Sequence, residues 1–466
     1  AVIRAIGVIF AKSGPPNQLT EVKTWLRSLL NDPQEKIRRY AVAALPKLAR
    51  DGNDNDEQQL LSLAKKSASD REKKHIASAL SKIGGHETLR HAETLPSPAR
   101  QRVQARLLRS QTASAINLDA RLDDIRGFDV LLRGRAGLET FVRDEASDYV
   151  RAHGKFKLRE TKPALVILSP TAPFKLAEIF SMRCFDNVAF ALPLSRSSEL
   201  EQLAEAITSA GALKIFRAFT TGPLRYRLDF VNKGHQRAAV RQLAERIYSL
   251  NPNLINGGGD TPWTIEIQTT AKGARIVLAP KITPDPRFAY RRRDIPAASH
   301  PPLAACMARL SGPFENEIVW DPFCGSGLEL IERALLGGVS KIIGTDLSPE
   351  ALEIARQNFA AANLQNIATQ FVPCDFRKFD PGPVSLIITN PPMGKRVPIP
   401  NLRQLIADLF DSAARFLKPG GRLVFANPLN LSPTDPRLKR DFSQLIDFGG
   451  FHCRLEKYTL KPHQGG

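Results

Sequence analysis

Ile318-Val319-Trp320-Asp321-Pro322-Phe323-Cys324-Gly325-Ser326-Gly327 is an apolar run that breaks at Asp-Pro and enters a glycine turn. Leu328 to Leu336 then carries a helical pattern. The layout recurs downstream. Lys341-Ile342-Ile343-Gly344-Thr345 ends at Asp346, Thr369 to Cys374 ends at Asp375, and Val384-Ser385-Leu386-Ile387-Ile388-Thr389 ends at Asn390-Pro391-Pro392-Met393. Gly420 to Ala426 is a fifth apolar run, and Pro349 to Ala362 and Leu402 to Phe416 read as intervening helices. Strands alternating with helices predict an α/β doubly wound, mostly parallel, Rossmann-like sheet. Ligands of such sheets sit at the carboxyl ends of the strands, where each of these polar turns falls.

Each motif suits a ligand that resembles a nucleotide. Gly325 and Gly327 let a backbone approach a ligand closely, and Ser326 can donate a hydrogen bond where the next helix begins. Asp346 follows by about 20 residues, the position from which a carboxylate accepts ribose hydroxyls. Asp375 can accept from an adenine amine, with Phe376 or Leu347 flanking the ring. Asn390-Pro391-Pro392 offers an amide and rigid carbonyls that can receive an exocyclic amine. A dinucleotide fingerprint is absent, because its third glycine is replaced by Leu330. A nucleotide-like cofactor beside a planar amine points to methyl transfer from S-adenosylmethionine.

Composition narrows the partner. The 466-residue chain carries a formal net charge of +19, and the excess is spread over every segment, which favours a long polyanion over one acidic pocket ligand. No uninterrupted apolar stretch of about 18 residues is present, so no membrane-spanning helix is expected. Arg4 interrupts the short apolar start, so no cleavable signal is expected. Ala1 opens the chain inside a helical pattern, so further sequence is expected before it. Cys184, Cys306, Cys324, Cys374 and Cys453 are scattered and form no CxxC, which argues against a disulfide framework or metal site and for a reducing cytoplasm.

The amino-terminal part reads differently. Over 1–95, helical runs such as Val22 to Leu30 and Ile37 to Leu48 alternate with polar stops, including Asn31-Asp32-Pro33. The period of roughly 40 residues is similar to HEAT repeats, whose stacked pairs offer a surface to RNA or protein. A linker with a basic helix from Ala99 to Arg109 is expected over 96–127. An α+β unit follows over 128–195, with strands at Phe128 to Leu132, Ala164 to Leu168 and Asn187 to Leu192. A second unit over 196–283 has the basic helix Arg237 to Leu250 and strands at Arg225 to Phe230, Trp263 to Gln268 and Ala274 to Leu278. These two resemble a ferredoxin-like domain and a THUMP RNA-binding domain. The basic connector 284–297 carries Arg291, Arg292 and Arg293, a phosphate contact or a solvated hinge.

The ordered set over 298–466 resembles class I S-adenosylmethionine-dependent methyltransferases, and within them the THUMP-containing RNA guanine-N2 methyltransferases. The resemblance rests on Asp321 to Gly327, Asn390 to Arg396 and His300-Pro301, and covers about 128–460. It implies cofactor contacts at Asp321, Phe323, Cys324, Gly325, Ser326, Gly327, Asp346, Leu347, Asp375, Phe376 and Asn390. It also implies a catalytic turn at Asn390, Pro391, Pro392 and Met393, in which Asn390 Oδ1 and the Pro391 carbonyl accept the guanine amine. Family members often have an aromatic residue at the position of Met393. Lys395 and Arg396, with Arg291, Arg292 and Arg293, would meet the phosphates of tRNA or rRNA. No metal is implied. Adenine-N6 methylation of nucleic acid, glutamine methylation of protein and a catalytically silent RNA-binding scaffold remain as alternatives.

Overall fold

A computed structural model describes residues 2–13, 16–48, 54–84, 86–91, 103, 113–232, 234, 236–257, 261–296, 298–312, 314–394 and 399–462. The chain divides into two compact units: Ala1–Ala115 with Thr221–Arg225 and Asn253–Asp260, and Ile116–Thr220 with Tyr226–Pro252 and Thr261–Gly466.

The first unit is helical over its opening residues. Its helices are Val2–Ser13, Pro16–Ser28, Glu35–Leu48, Asp54–Lys66, Asp70–Ile83 and the short His86–Arg90. Glu35–Leu48 is central and packs against Val2–Ser13, Pro16–Ser28 and Asp70–Ile83. Leu26, Leu30, Ala41, Val42, Leu45, Leu60, Ile76 and Leu80 form the buried core. Alanine at 41 and 44 keeps the central helix slim where its neighbours cross it. At the expected Asp-Pro stop, the Gln34 amide donates to Asp32 Oδ1 at 2.8 Å. Arg38 then spans from the Asp32 carbonyl to Glu72, at 2.8 and 2.7 Å. The Arg38 bond and Ser67 hold the buried Glu72 carboxyl below its usual range against the cost of burial. The expected basic helix from Ala99 to Arg109 lies outside the described residues, save Val103.

In the second unit, seven hydrogen-bonded strand segments run in the order 226–230, Trp263–Thr270, Gly273–Pro280, Asn187–Ala191, Asp129–Arg133, Leu165–Pro170 and Phe156–Lys162. Strands from 128–195 and 196–283 therefore share one sheet, since Val277 and Leu278 pair antiparallel with Ala191 and Phe190. Phe156–Lys162 was not foreseen, because its charged residues hide the alternation. As the outermost of the seven, it keeps Lys157, Arg159 and Glu160 exposed.

The connector that follows is tied down rather than a solvated hinge. Arg287 is buried, pairs with Asp285 at 2.7 Å and donates to the Phe185 carbonyl at 2.7 Å. Arg183 reaches forward to Glu332 at 2.7 Å, and the Tyr290 hydroxyl donates to the same carboxylate at 2.5 Å. Buried Asn358 accepts from the Arg292 amide at 2.9 Å and donates to the Ser326 carbonyl at 3.1 Å.

The carboxyl-terminal sheet has strands β1 (Glu317–Asp321), β2 (Val339–Asp346), β3 (Ala368–Pro373), β4 (Val384–Thr389), β5 (Leu417–Asn427), β6 (Leu438–Asp447) and β7 (His452–Leu460). Their order is β3-β2-β1-β4-β5-β7-β6. The first five are parallel, whereas β7 runs antiparallel to both β5 and β6. This is a Rossmann-like sheet, completed by an antiparallel ribbon. Trp320, Ile343, Ile387, Leu409, Phe410, Leu423 and Phe425 build one side of its core. Chain order reverses between β1 and β4, which opens a crevice beyond their carboxyl ends.

Candidate active site

A cleft of about 870 Å³ lies at those carboxyl ends. Phe323, Cys324, Gly325 and Ser326 line it after β1, Asp346 and Leu347 after β2, Asp375 and Phe376 after β3, and Asn390 to Met393 after β4. The turn after β1 is fixed by its own backbone. Gly325 and Gly327 have φ of +51° and +82°, and the Cys324 amide donates to the Thr345 carbonyl at 2.9 Å. Asp346 Oδ2 accepts from the Gly325 amide at 2.9 Å, and Oδ1 accepts from the Ser348 amide at 2.9 Å. Its carboxylate is thereby held between two strand ends, with lone pairs left for a diol.

Asp375 pairs with Arg377 at 2.5 Å and accepts from the Arg377 backbone amide at 3.0 Å. The guanidinium holds its carboxyl below the ordinary range. Both Asp375 oxygens already accept from Arg377, so an adenine amine would use the lone pairs that remain.

Asn390 donates through Nδ2 to Ser299 Oγ at 2.8 Å. Its Oδ1 is shielded from solvent and accepts a hydrogen bond from no described residue. An unmet buried acceptor costs about 1–3 kcal/mol, so the amide gains when a donor reaches it.

Two residues expected at the cofactor stand behind the cleft wall. Asp321 is fully buried and accepts from the Thr389 hydroxyl at 2.5 Å and the Phe323 amide at 3.0 Å. It fastens the end of β1 to the end of β4, and burial pushes its carboxyl well up. Gly327 caps the helix Leu328–Leu335, where an added Cβ would come within 3.2 Å of Ala355 Cβ. Of the expected phosphate contacts, Arg291 lines the cleft and pairs with Asp294. Arg292 and Arg293 are exposed away from it, the latter 3.8 Å from Glu350. Lys395 and Arg396 lie outside the described residues.

Residues 289–448 match the RMKL-like methyltransferase domain. The tRNA (guanine(10)-N2)-dimethyltransferase of Methanothermobacter thermautotrophicus is 31% identical over 173 residues, 36% of this chain and 47% of that protein. The ribosomal protein L11 methyltransferase of Teredinibacter turnerae is 30% identical over 181 residues, 37% of this chain and 56% of that protein. The chain thus spans about half the length of the curated relatives it matches. In fold it is similar to the crystal structure of TrmN from Thermus thermophilus, with a TM-score of 0.56 at 19% identity over 72% of this chain and 99% of TrmN. That coverage exceeds the carboxyl-terminal sheet alone, so the likeness in fold extends into the preceding α+β region.

Several lining residues had no motif to announce them. Arg135 arrives on the loop Gly134 to Leu138, which abuts β6. There the Asp447 amide donates to the Ala136 carbonyl at 3.0 Å, and a Cβ on Gly137 would fall 2.2 Å from the Leu445 carbonyl oxygen. Phe448 and Phe451, with ring centroids 5.5 Å apart, line the cleft from the turn joining β6 to β7. Ser299 precedes the helix Pro301–Ser311, beside His300 of the His300-Pro301 motif, which also lines the cleft. Among the described residues no group of three or more His, Cys, Asp or Glu is disposed to hold a metal ion, and no helix is long and apolar enough to cross a membrane.

His300 gives the cleft a pH signature. Burial, reinforced by Arg135, Arg291 and Arg287 against the opposing Asp285, pushes it down to about 4. Its Nδ1 lies 3.6 Å from Asp186 Oδ1, and burial pushes that carboxyl up to about 6. The lowered His300 contributes stability above its unfolded value, lost as pH falls towards 4. The raised Asp186 contributes stability at low pH, lost as pH rises through about 6. In an NMR titration the His300 ring signals should hold their neutral positions down to pH 5; a midpoint at the ordinary 6.5 would refute this account.

Proposed function

We propose that this protein is an S-adenosylmethionine-dependent methyltransferase that forms N2-methylguanosine in RNA, with tRNA the favoured substrate. The observation that carries the reading is Asn390, whose Oδ1 lacks a donor in the same cleft as the Asp346 and Asp375 carboxylates. The RMKL-like match, the relative named for guanine-N2 methylation of tRNA and the net charge of +19 support it.

The residues present suit the cofactor. Asp346 would take the ribose hydroxyls, Asp375 the adenine amine, and Phe376 with Leu347 the faces of the ring. Gly325 and Ser326 would border the amino-acid portion. When bound, S-adenosylmethionine supplies an electrophilic methyl group.

The chain's own part is to hold the acceptor. Asn390 Oδ1 and the Pro391 carbonyl accept the two amine hydrogens, which draws the nitrogen lone pair out of conjugation with the ring. Pro391 and Pro392 keep the turn stiff, so orientation supplies much of the rate and no strong base is needed. Because Oδ1 is covered, the groups around it give way as the amine enters. Met393 covers the base with a thioether, and Phe448 and Phe451 add the aromatic surface that position 393 lacks. A guanine within a helix would be flipped out to enter. Arg135 and Arg291 meet the adjoining phosphates, joined by Lys395 and Arg396. The sheet region over 128–283 serves as a ferredoxin-like and THUMP-like RNA platform, and the helices of 1–95 as a HEAT-like surface for RNA or protein.

Two measurements test this. Calorimetry should show S-adenosylmethionine binding to the wild-type protein, weakened at least tenfold in Asp346→Ala, about 1.4 kcal/mol; no binding by the wild type would remove the enzyme reading. Mass spectrometry of nucleosides should show N2-methylguanosine falling in tRNA when the gene is deleted. A loss of N6-methyladenosine instead, or a methyl group lost from a protein, would assign the site to another planar nitrogen.

A further inference from the structure

We infer that Ser299 and Glu329 form a relay that fixes which end of the Asn390 amide faces the substrate, and so select a hydrogen-donating amine as the acceptor. The inference rests on the proposed role of Asn390. A primary amide has nearly the same shape with its oxygen and nitrogen exchanged, so packing alone cannot choose between them. The choice decides the chemistry: Oδ1 towards the substrate receives an amine, whereas Nδ2 would receive a carbonyl or a ring nitrogen.

The relay makes the choice through hydrogen-bond polarity. Glu329 lies in the first turn of the helix Leu328–Leu335 and is 4% exposed. Burial raises its carboxyl above the ordinary range, opposed by the Ser299 hydrogen bond and by the positive end of the helix dipole, and Oε1, the oxygen that faces Ser299, is an acceptor. The Ser299 hydroxyl donates its single proton to Glu329 Oε1. With that proton committed, Ser299 Oγ has only lone pairs to offer Asn390. The amide must therefore present Nδ2, which it does at 2.8 Å. Oδ1 is left over by elimination, and it has no partner among the described residues. Neither Ser299 nor Glu329 needs to touch the substrate, so both are positioning residues. They lie in different parts of the chain, the residues just before the helix Pro301–Ser311 and the helix after the glycine turn, so the amide is oriented from two sides at once.

The test uses the full-length protein. In Ser299→Ala the kcat for methylating bulk tRNA purified from a strain lacking the gene should fall roughly tenfold, the worth of one hydrogen bond that orients a reacting group. KM for tRNA and calorimetric affinity for S-adenosylmethionine should stay within about twofold, a change of a few tenths of a kcal/mol. Ser299→Thr keeps the hydroxyl and should recover most of the rate. Glu329→Gln, which can donate to Ser299 as well as accept, should lie between wild type and Ser299→Ala. The relay also has a readout that needs no activity. The side-chain amide signals of Asn390, assigned by their absence in Asn390→Ala, should be protected from exchange in the wild type and lose that protection in Ser299→Ala. Unchanged Asn390 signals in Ser299→Ala, or undiminished kcat, would overturn the relay. A wild-type protein inactive on every RNA would instead sink the RNA reading, with the amide signals still deciding the relay.

Discussion

Asn390→Ala should lower kcat for methyl transfer by on the order of 10²–10³, the loss seen when a preorganised polar contact to a reacting group is removed. Alanine takes away Oδ1, the acceptor that waits without a donor, and also the Nδ2 bond to Ser299. The remaining turn still offers the Pro391 carbonyl, so residual turnover is expected. Affinity for S-adenosylmethionine should change little, because the carboxylates of Asp346 and Asp375 stand at the end of β2 and just after β3 rather than after β4. Single-turnover kinetics with saturating cofactor would separate the two effects. Full activity in Asn390→Ala would remove the amide from the mechanism.

The second large effect concerns stability. Glu317, at the start of β1, is 1% exposed and pairs with Arg333 at 2.6 Å and with Arg422. Arg333 comes from the helix after the glycine turn, and it also donates to the Gly337 carbonyl at 2.8 Å. Arg422 comes from β5 and lies over the Phe314 ring, 3.8 Å from its centroid. Both Nε atoms lack partners among the described residues, so this cluster is already expensive to bury. Glu317→Ala would leave two buried guanidiniums without a counter-charge and should destabilise the carboxyl-terminal sheet by about 3–5 kcal/mol. Replacing all three with apolar residues of similar volume should cost far less, since such swaps are often neutral. Denaturant unfolding of the single and triple variants checks both statements. A Glu317→Ala midpoint equal to wild type would show the cluster to be unimportant.

The sequence revealed the parallel half of the sheet because each strand was a continuous apolar run that stopped at a polar turn. β6 and β7 went unseen because Leu438-Lys439-Arg440-Asp441-Phe442 and Arg454-Leu455-Glu456-Lys457 dilute the apolar signal with charge. Their burial comes from cross-strand neighbours that no local window contains. Phe323 to Ser326, Asp346, Leu347, Asp375, Phe376 and Asn390 to Met393 could be read as one set because each follows a strand in regular order. Arg135, Ser299 and the two phenylalanines could not, since tertiary packing alone brings them to the cleft. The sharing of one sheet by 128–195 and 196–283 was hidden for a similar reason. Pairing between Gly273–Pro280 and Asn187–Ala191 joins segments separated by more than two helices of intervening chain.

The strand order β5-β7-β6 has a consequence for biosynthesis. β6 is made before β7 yet has no place in the ladder until β7 lies beside β5. A nascent chain that has emerged only as far as β6 therefore holds β5 with one edge unpaired and β6 without a neighbour. Translation must deliver residues 452–460 before the sheet can close. Until then the open edge is a site where chaperones, or other nascent chains, can pair.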